Sequence, residues 1–191
     1  MNTNTHNLYL IKALEAYPWD LEKAVEALQY ALSYEPENVR ALCLMGKVYA
    51  EQLNDYETAK GYFEKAMAAD ISATVIYPDF ARTLMQNDDF EAAQKLIDFA
   101  KTVKGIDKAV ITLLEGQLLE YLQDFEAAEA LLKEARNLAM NNGFVEFVEG
   151  ELERVTKKRE RQKRKQKKED ATPEPKQAVP KSWKNRLNGL L

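Results

Sequence analysis

Lys47, Arg82 and Gln117 follow one another at intervals of 35 residues, and Arg40 stands seven residues, two helical turns, before Lys47. Cationic and amide donors in such a row can hold a carboxylate or the backbone carbonyls of a bound segment. The alternative is that they are ordinary solvated charges. A second group is Lys157, Lys158, Arg159, Arg161, Lys163, Arg164 and Lys165, in a stretch from Thr156 to Asp170 with no apolar residue. Such a run can contact nucleic acid or anionic lipid electrostatically, dock on an acidic partner or on the chain's own acidic body, or simply solubilise. It has no aromatics to stack bases, so weak, salt-sensitive contact is expected rather than sequence recognition. A third group is Trp183, Leu187, Leu190 and Leu191, spaced i, i+4, i+7, i+8 and flanked by Lys181, Lys184 and Arg186. That short apolar stripe would be marginal as a helix alone and should order only on a surface.

No residue pattern suggests catalysis. There is no Walker-type loop, no GxSxG and no HExxH. His6 sits in a polar stretch and reads as solvated, and Cys43 reads as a packing residue or a bystander. One histidine and one cysteine cannot build a Cys/His zinc site, and a single cysteine closes no internal disulfide. The expectation is a non-enzyme with no cofactor and no metal. The first residues lack a basic start and apolar core, and no run approaches about 18 apolar residues. A cytoplasmic protein without a transmembrane segment is therefore expected.

The donors need elements to carry them, and the chain supplies those by repetition. Asp20-Leu21-Glu22-Lys23-Ala24, Asp55-Tyr56-Glu57-Thr58-Ala59, Asp89-Phe90-Glu91-Ala92-Ala93 and Asp124-Phe125-Glu126-Ala127-Ala128 place their alanines 35, 34 and 35 residues apart. A fixed period of that size marks a repeat architecture. Each phrase reads as a helix entrance: the Asp can cap free N–H groups and the Glu suits the positive end of the helix dipole. Leu28, Phe63, Ile97 and Leu132 follow four residues on, then Ala31, Ala66, Ala100 and Ala135 three later, all on one helical face. Amphipathic helices precede the entrances, as in 39–52 and 108–122, with Gly46 and Gly116 placed for close packing.

These residues resemble the tetratricopeptide repeat (TPR) family over roughly residues 6–140. Repeat two matches best, through Gly46, Tyr49, Ala59, Phe63 and Ala66. Repeat four carries Gly116, Ala128, Leu132 and Ala135; repeat three has Ala81 in place of Gly; repeat one puts Lys12 there and ends in Pro36. The family's early Trp is absent, one extra residue separates Gly46 from Ala59, and Pro78 falls where a first helix should run, so that helix should start near Tyr77 or kink. The resemblance implies an all-α, right-handed solenoid of about four helix pairs plus a capping helix.

The expected organisation is a repeat domain over 1–155, with repeats at roughly 6–37, 38–71, 72–106 and 107–141 and a cap at 143–155. A basic extension, helical or solvated, follows at 156–170, then a linker at 171–180 and the amphipathic segment 181–191. Residues 1–150 hold 13 Lys/Arg against 25 Asp/Glu, whereas 151–191 hold 14 against 6. An acidic body with a basic tail suggests two tasks. The family resemblance implies a scaffold or adaptor that binds a protein partner on the concave face, with Arg40, Lys47, Arg82 and Gln117 at the contact. The inner row Leu10, Leu44, Asp79 and Leu114 cannot form the Lys/Asn/Arg clamp with which some members hold acidic chaperone tails. An apolar groove with basic edges is expected instead. The alternative is a tether acting through its tail on nucleic acid or an anionic surface, or a tail stripe that docks in the chain's own groove.

Overall fold

The computed structural model describes residues 3–170. The linker 171–180 and the stripe Trp183, Leu187, Leu190 and Leu191 lie outside the described residues. The chain divides into two units, Met1–Thr156 and Lys157–Leu191. Among the described residues there are nine helices and no strand: α1 (Thr3–Ala16), α2 (Leu21–Tyr34), α3 (Val39–Gln52), α4 (Tyr56–Ala69), α5 (Ile76–Gln86), α6 (Phe90–Ala100), α7 (Lys108–Tyr121), α8 (Phe125–Leu138) and α9 (Asn142–Asp170). Each odd helix up to α7 packs on the even helix after it, and α1, α3, α5 and α7 also touch in succession. That is the stacked-pair arrangement of a helical solenoid.

The Asp entrances behave as caps at three of four places. Asp20, Asp55 and Asp124 accept hydrogen bonds from the N–H groups of Lys23, Thr58 and Ala127 at 3.2, 3.0 and 3.1 Å. Asp89 departs from the expectation and makes no side-chain cap. Its carboxylate is taken by Lys60 Nζ of α4 at 3.2 Å and by Asn87 Nδ2 at 3.0 Å. These two contacts, one of them charge-assisted, hold the carboxylate away from the first N–H groups of α6. Asn38 and Asp107 cap α3 and α7.

The small–large–small face is the core. Ala24, Ala59, Ala93 and Ala128 are fully buried, as are Leu28, Phe63 and Leu132, with Ile97 at 1% exposure. Burial of each large side chain stabilises the fold by roughly 1.5–3 kcal/mol. A Cβ built on Gly46 would meet the Phe63 ring at 2.9 Å, and one on Gly116 would meet Leu132 at 3.1 Å. Helix α1 keeps a different register from the one counted back from Ala24. Ala13 is its fully buried small residue, whereas Lys12 is exposed, its ammonium 5.5 Å from the Tyr9 ring centroid. An unpaired ammonium cannot be buried at a helix crossing, and rotation by one residue keeps it in water.

The core forms three clusters. One runs from α3 to α7, a second joins α1, α2 and α3, and a third joins α7, α8 and the start of α9. Leu32, Tyr49 and Tyr62 border both of the first two. Pro78 is the third residue of α5, inside the first turn where a missing N–H costs nothing. Val148, Leu152 and Val155 of α9 bury against Ala128, Leu132 and Ala135. In the second unit the helix continues through the basic run, where Arg164 pairs with Glu160 at 3.7 Å.

Candidate functional site

The odd helices carry the row of donors. Lys47 on α3 and Arg82 on α5 converge on one carboxylate, Asp79. Arg82 Nη1 lies 3.1 Å from Asp79 Oδ1, and Lys47 Nζ lies 3.9 Å from Asp79 Oδ2. Lys47 is also 3.7 Å from Glu51 Oε1, one turn along α3. Glu51 in turn accepts a hydrogen bond from the Tyr17 hydroxyl at the end of α1. Burial, and secondly that bond to Glu51, push the Tyr17 hydroxyl up to about 12. Ala50, Thr83 and Gln86 complete a shallow cleft between α3 and α5. Two cations meet two carboxylates here, so the cleft has no formal excess charge.

Arg40 is exposed in the first turn of α3 and stands apart from this cluster. Gln117 on α7 is engaged elsewhere: its Nε2 donates to Glu151 of α9 at 2.7 Å. Beside it, Arg154 donates through Nε to Glu120 Oε1 at 3.0 Å and through Nη2 to the other oxygen of that carboxylate. Arg154 also pairs with Glu151 at 2.8 Å. Glu120 and Glu151 are only 7% and 8% exposed, so their charges depend on these partners. The bonds to Glu120 raise the Arg154 guanidinium further above its already high range.

Sequence reasoning missed these carboxylates, yet a signal existed. Tyr17–Glu51, Gln117–Glu151 and Glu120–Arg154 are each separated by 34 residues, one repeat period. The period therefore runs on into α9. Gly150 stands 34 residues after Gly116, but a Cβ there would meet nothing within 4 Å. The start of α9 occupies the place of a fifth first helix.

The expected apolar inner row is corrected in the same region. Leu10, Leu44 and Leu114 are buried in packing, at 6%, 8% and 0% exposure. The register of α1 instead leaves Ile11 and Leu14 exposed at 49% and 54%. With Ala13 set against Gly46, Leu14 falls in the row of Lys47, Arg82 and Gln117, and Ile11 in that of Leu44, Asp79 and Leu114. The odd-helix face thus has an apolar end at α1, a charge-balanced middle at α3 and α5, and a hydrogen-bonded end at α7 and the start of α9.

Lys157, Lys158, Arg159, Arg161, Lys163, Arg164 and Lys165 all lie on α9 beyond Thr156. Among the described residues there is no group of three or more metal-ligating side chains, and no helix is long and apolar enough to cross a membrane.

No family model and no curated protein sequence matches the chain. Solved structures do. A thermophilic TPR protein of Thermus thermophilus aligns at 18% identity over 73% of this chain and 77% of its own, with a TM-score of 0.63. MamA from Desulfovibrio magneticus RS-1 aligns at 15% identity over 90% and 98%, with a TM-score of 0.60. Yeast Tom70 aligns at 15% identity and a TM-score of 0.67 over 83% of this chain, which spans 34% of the Tom70 chain.

Proposed function

We propose that this chain, whose fold is that of the tetratricopeptide repeat, is a non-enzymatic adaptor that holds a segment of a partner protein on its odd-helix face. The observation that carries the reading is the row itself. Leu14, Lys47, Arg82 and Gln117 recur once per repeat on helices stacked side by side, which gives an extended ligand a regular series of contacts. Ile11 and Leu14 offer the exposed apolar anchor at one end, and Arg40 adds a donor at the edge of α3. A cytoplasmic setting suits the single buried cysteine and fits this reading.

A second reading is favoured by one observation: seven cations gather within nine residues of α9, beyond a body with an excess of carboxylates. In that reading the basic stretch tethers the protein to nucleic acid or an anionic surface. Capture from native lysate with three full-length baits separates the two: wild type, Leu14→Asp/Arg82→Glu, and a chain with Lys163, Arg164 and Lys165 changed to Gln. Partners lost with the first variant and kept by the second support the groove. Partners lost with the tail variant, with nuclease treatment or at raised salt would replace the groove with the tether.

A further inference from the structure

The odd-helix face contains one residue out of keeping with its row. Leu44 and Leu114 fill their positions with buried apolar side chains, but repeat three places Asp79 there, its side chain 25% exposed. That carboxylate reaches both cations of the row, Arg82 at 3.1 Å and Lys47 at 3.9 Å. Glu51 also lies within ion-pair range of Lys47, at 3.7 Å. On the described face, therefore, Arg82 is hydrogen-bonded to Asp79, and Lys47 stands within ion-pair range of both Asp79 and Glu51.

We infer that Asp79 sets the charge preference of the groove: by occupying Lys47 and Arg82 it closes the face to acidic segments and free C-terminal carboxylates and leaves it to apolar, uncharged ones. The inference rests on the groove reading above and names the ligand class that reading leaves open. An acidic ligand that reaches the donors Asp79 leaves unused must still lie against the negative charge of Asp79 itself. Like charges brought together at an interface are strongly unfavourable, and this is a recognised way of rejecting wrong partners. An apolar segment meets no such opposition. It gains burial against Ile11 and Leu14, and its backbone carbonyls can accept from Lys47 and Arg82 through donors that Asp79 and Glu51 leave unused. Asp79 is then a specificity-determining residue that need not touch the ligand at all.

The test uses two fluorescein-labelled amphipathic peptides of Ala, Leu and Gln. One ends in an uncharged carboxamide; its twin ends in two glutamates and a free carboxylate. Anisotropy titrations against the full chain compare wild type with Asp79→Asn, a near-isosteric change that removes the charge. The basic tail is the same in both proteins, so any attraction it exerts on the acidic peptide cancels when the two are compared. The expected result is a shift of about tenfold or more in the acidic-to-neutral affinity ratio on going to Asp79→Asn. Adding Lys47→Ala or Arg82→Ala to Asp79→Asn should remove that gain. A ratio that moves less than about twofold, in a variant whose thermal melt is unchanged, overturns the role of Asp79 while leaving the groove standing. Failure of Leu14→Asp to weaken the neutral peptide, or binding of neither peptide by either protein, overturns the groove reading as well.

Discussion

A methyl group placed on Gly46 would lie 2.9–3.1 Å from three atoms of the Phe63 ring, a ring stacked on Phe80 and fully buried. Repeat three solves the corresponding crossing with Ala81 and Ile97, a larger residue on the first helix and a smaller one on the second. Gly46→Ala should therefore cost about 1–3 kcal/mol by overpacking. Phe63→Ile should also destabilise, but the pair together should cost less than the sum, since the shorter side chain makes room for the methyl. Urea denaturation of the four proteins of the cycle measures this, and simple additivity would contradict the packing argument. The capping aspartates make a separate prediction. Hydrogen bonding from Thr58 holds the Asp55 carboxyl below the ordinary aspartate range. A depressed folded-state value contributes stability that is present above the unfolded value of about 4 and is lost as pH falls through the folded one. Asn caps nearly as well as Asp but does not titrate. Asp55→Asn should leave neutral-pH stability nearly unchanged and flatten the acid limb of the pH–stability curve below about pH 4.

At the scale of elements, the turns between paired helices are the least obvious product of the sequence. Asn54, Asp88 and Gln123 all have positive φ, at 53°, 59° and 64°, although none is glycine. In repeats three and four the turn closes with the same two bonds: Asp88 N–H to Met85 and Asp89 N–H to Leu84, then Gln123 N–H to Glu120 and Asp124 N–H to Leu119. This is the Schellman arrangement that satisfies helix-end carbonyls. Repeat two reaches one residue further, from Asp55 N–H to Tyr49, and so absorbs its extra residue outside the packed face. Left-handed backbone is costly for a branched or long side chain and least so for glycine, with asparagine between. Gln123→Gly should raise stability by about 0.5–1 kcal/mol, and Asn54→Gly by less. Chemical denaturation decides it; equal or reversed effects would mean that the side chains, not the dihedrals, govern these turns. Helix identity and spacing were legible because the Asp-x-Glu-x-Ala phrase ties cap, dipole and packing to fixed positions. The register of α1 was not, because Ala13 and Lys12 are adjacent and only the burial of one against α2 separates them.

For the molecule as a whole, periodicity was legible and pairing was not. The row Lys47, Arg82 and Gln117 follows from counting. That Asp79, Glu51 and Glu151 would occupy it depends on helix rotations no count supplies, although the 34-residue separations carried the information. Cys43 reports on the same interior. It is 5% exposed, and burial, with the charge of Asp79 as a lesser cause, pushes its thiol up to about 12. Such a thiol is a poor nucleophile. A raised folded-state value also contributes stability that is complete below the unfolded value of about 8.5 and lost as pH rises toward the folded one. Cys43 should resist a thiol reagent at pH 8 and react as denaturant opens the central cluster, with a rate that tracks unfolding. Fast labelling of the native protein would contradict its burial. The three clusters have a mechanical consequence. Among the described residues, helix contacts run only between neighbours in the stack, and Leu32, Tyr49 and Tyr62 border both of the first two clusters. A pull along the chain loads one interface at a time rather than the whole core. Pairs should peel from an end in steps, each releasing roughly 120 Å of contour for a repeat of about 35 residues. Held by its two ends, such a stack should lengthen pair by pair rather than give way at once.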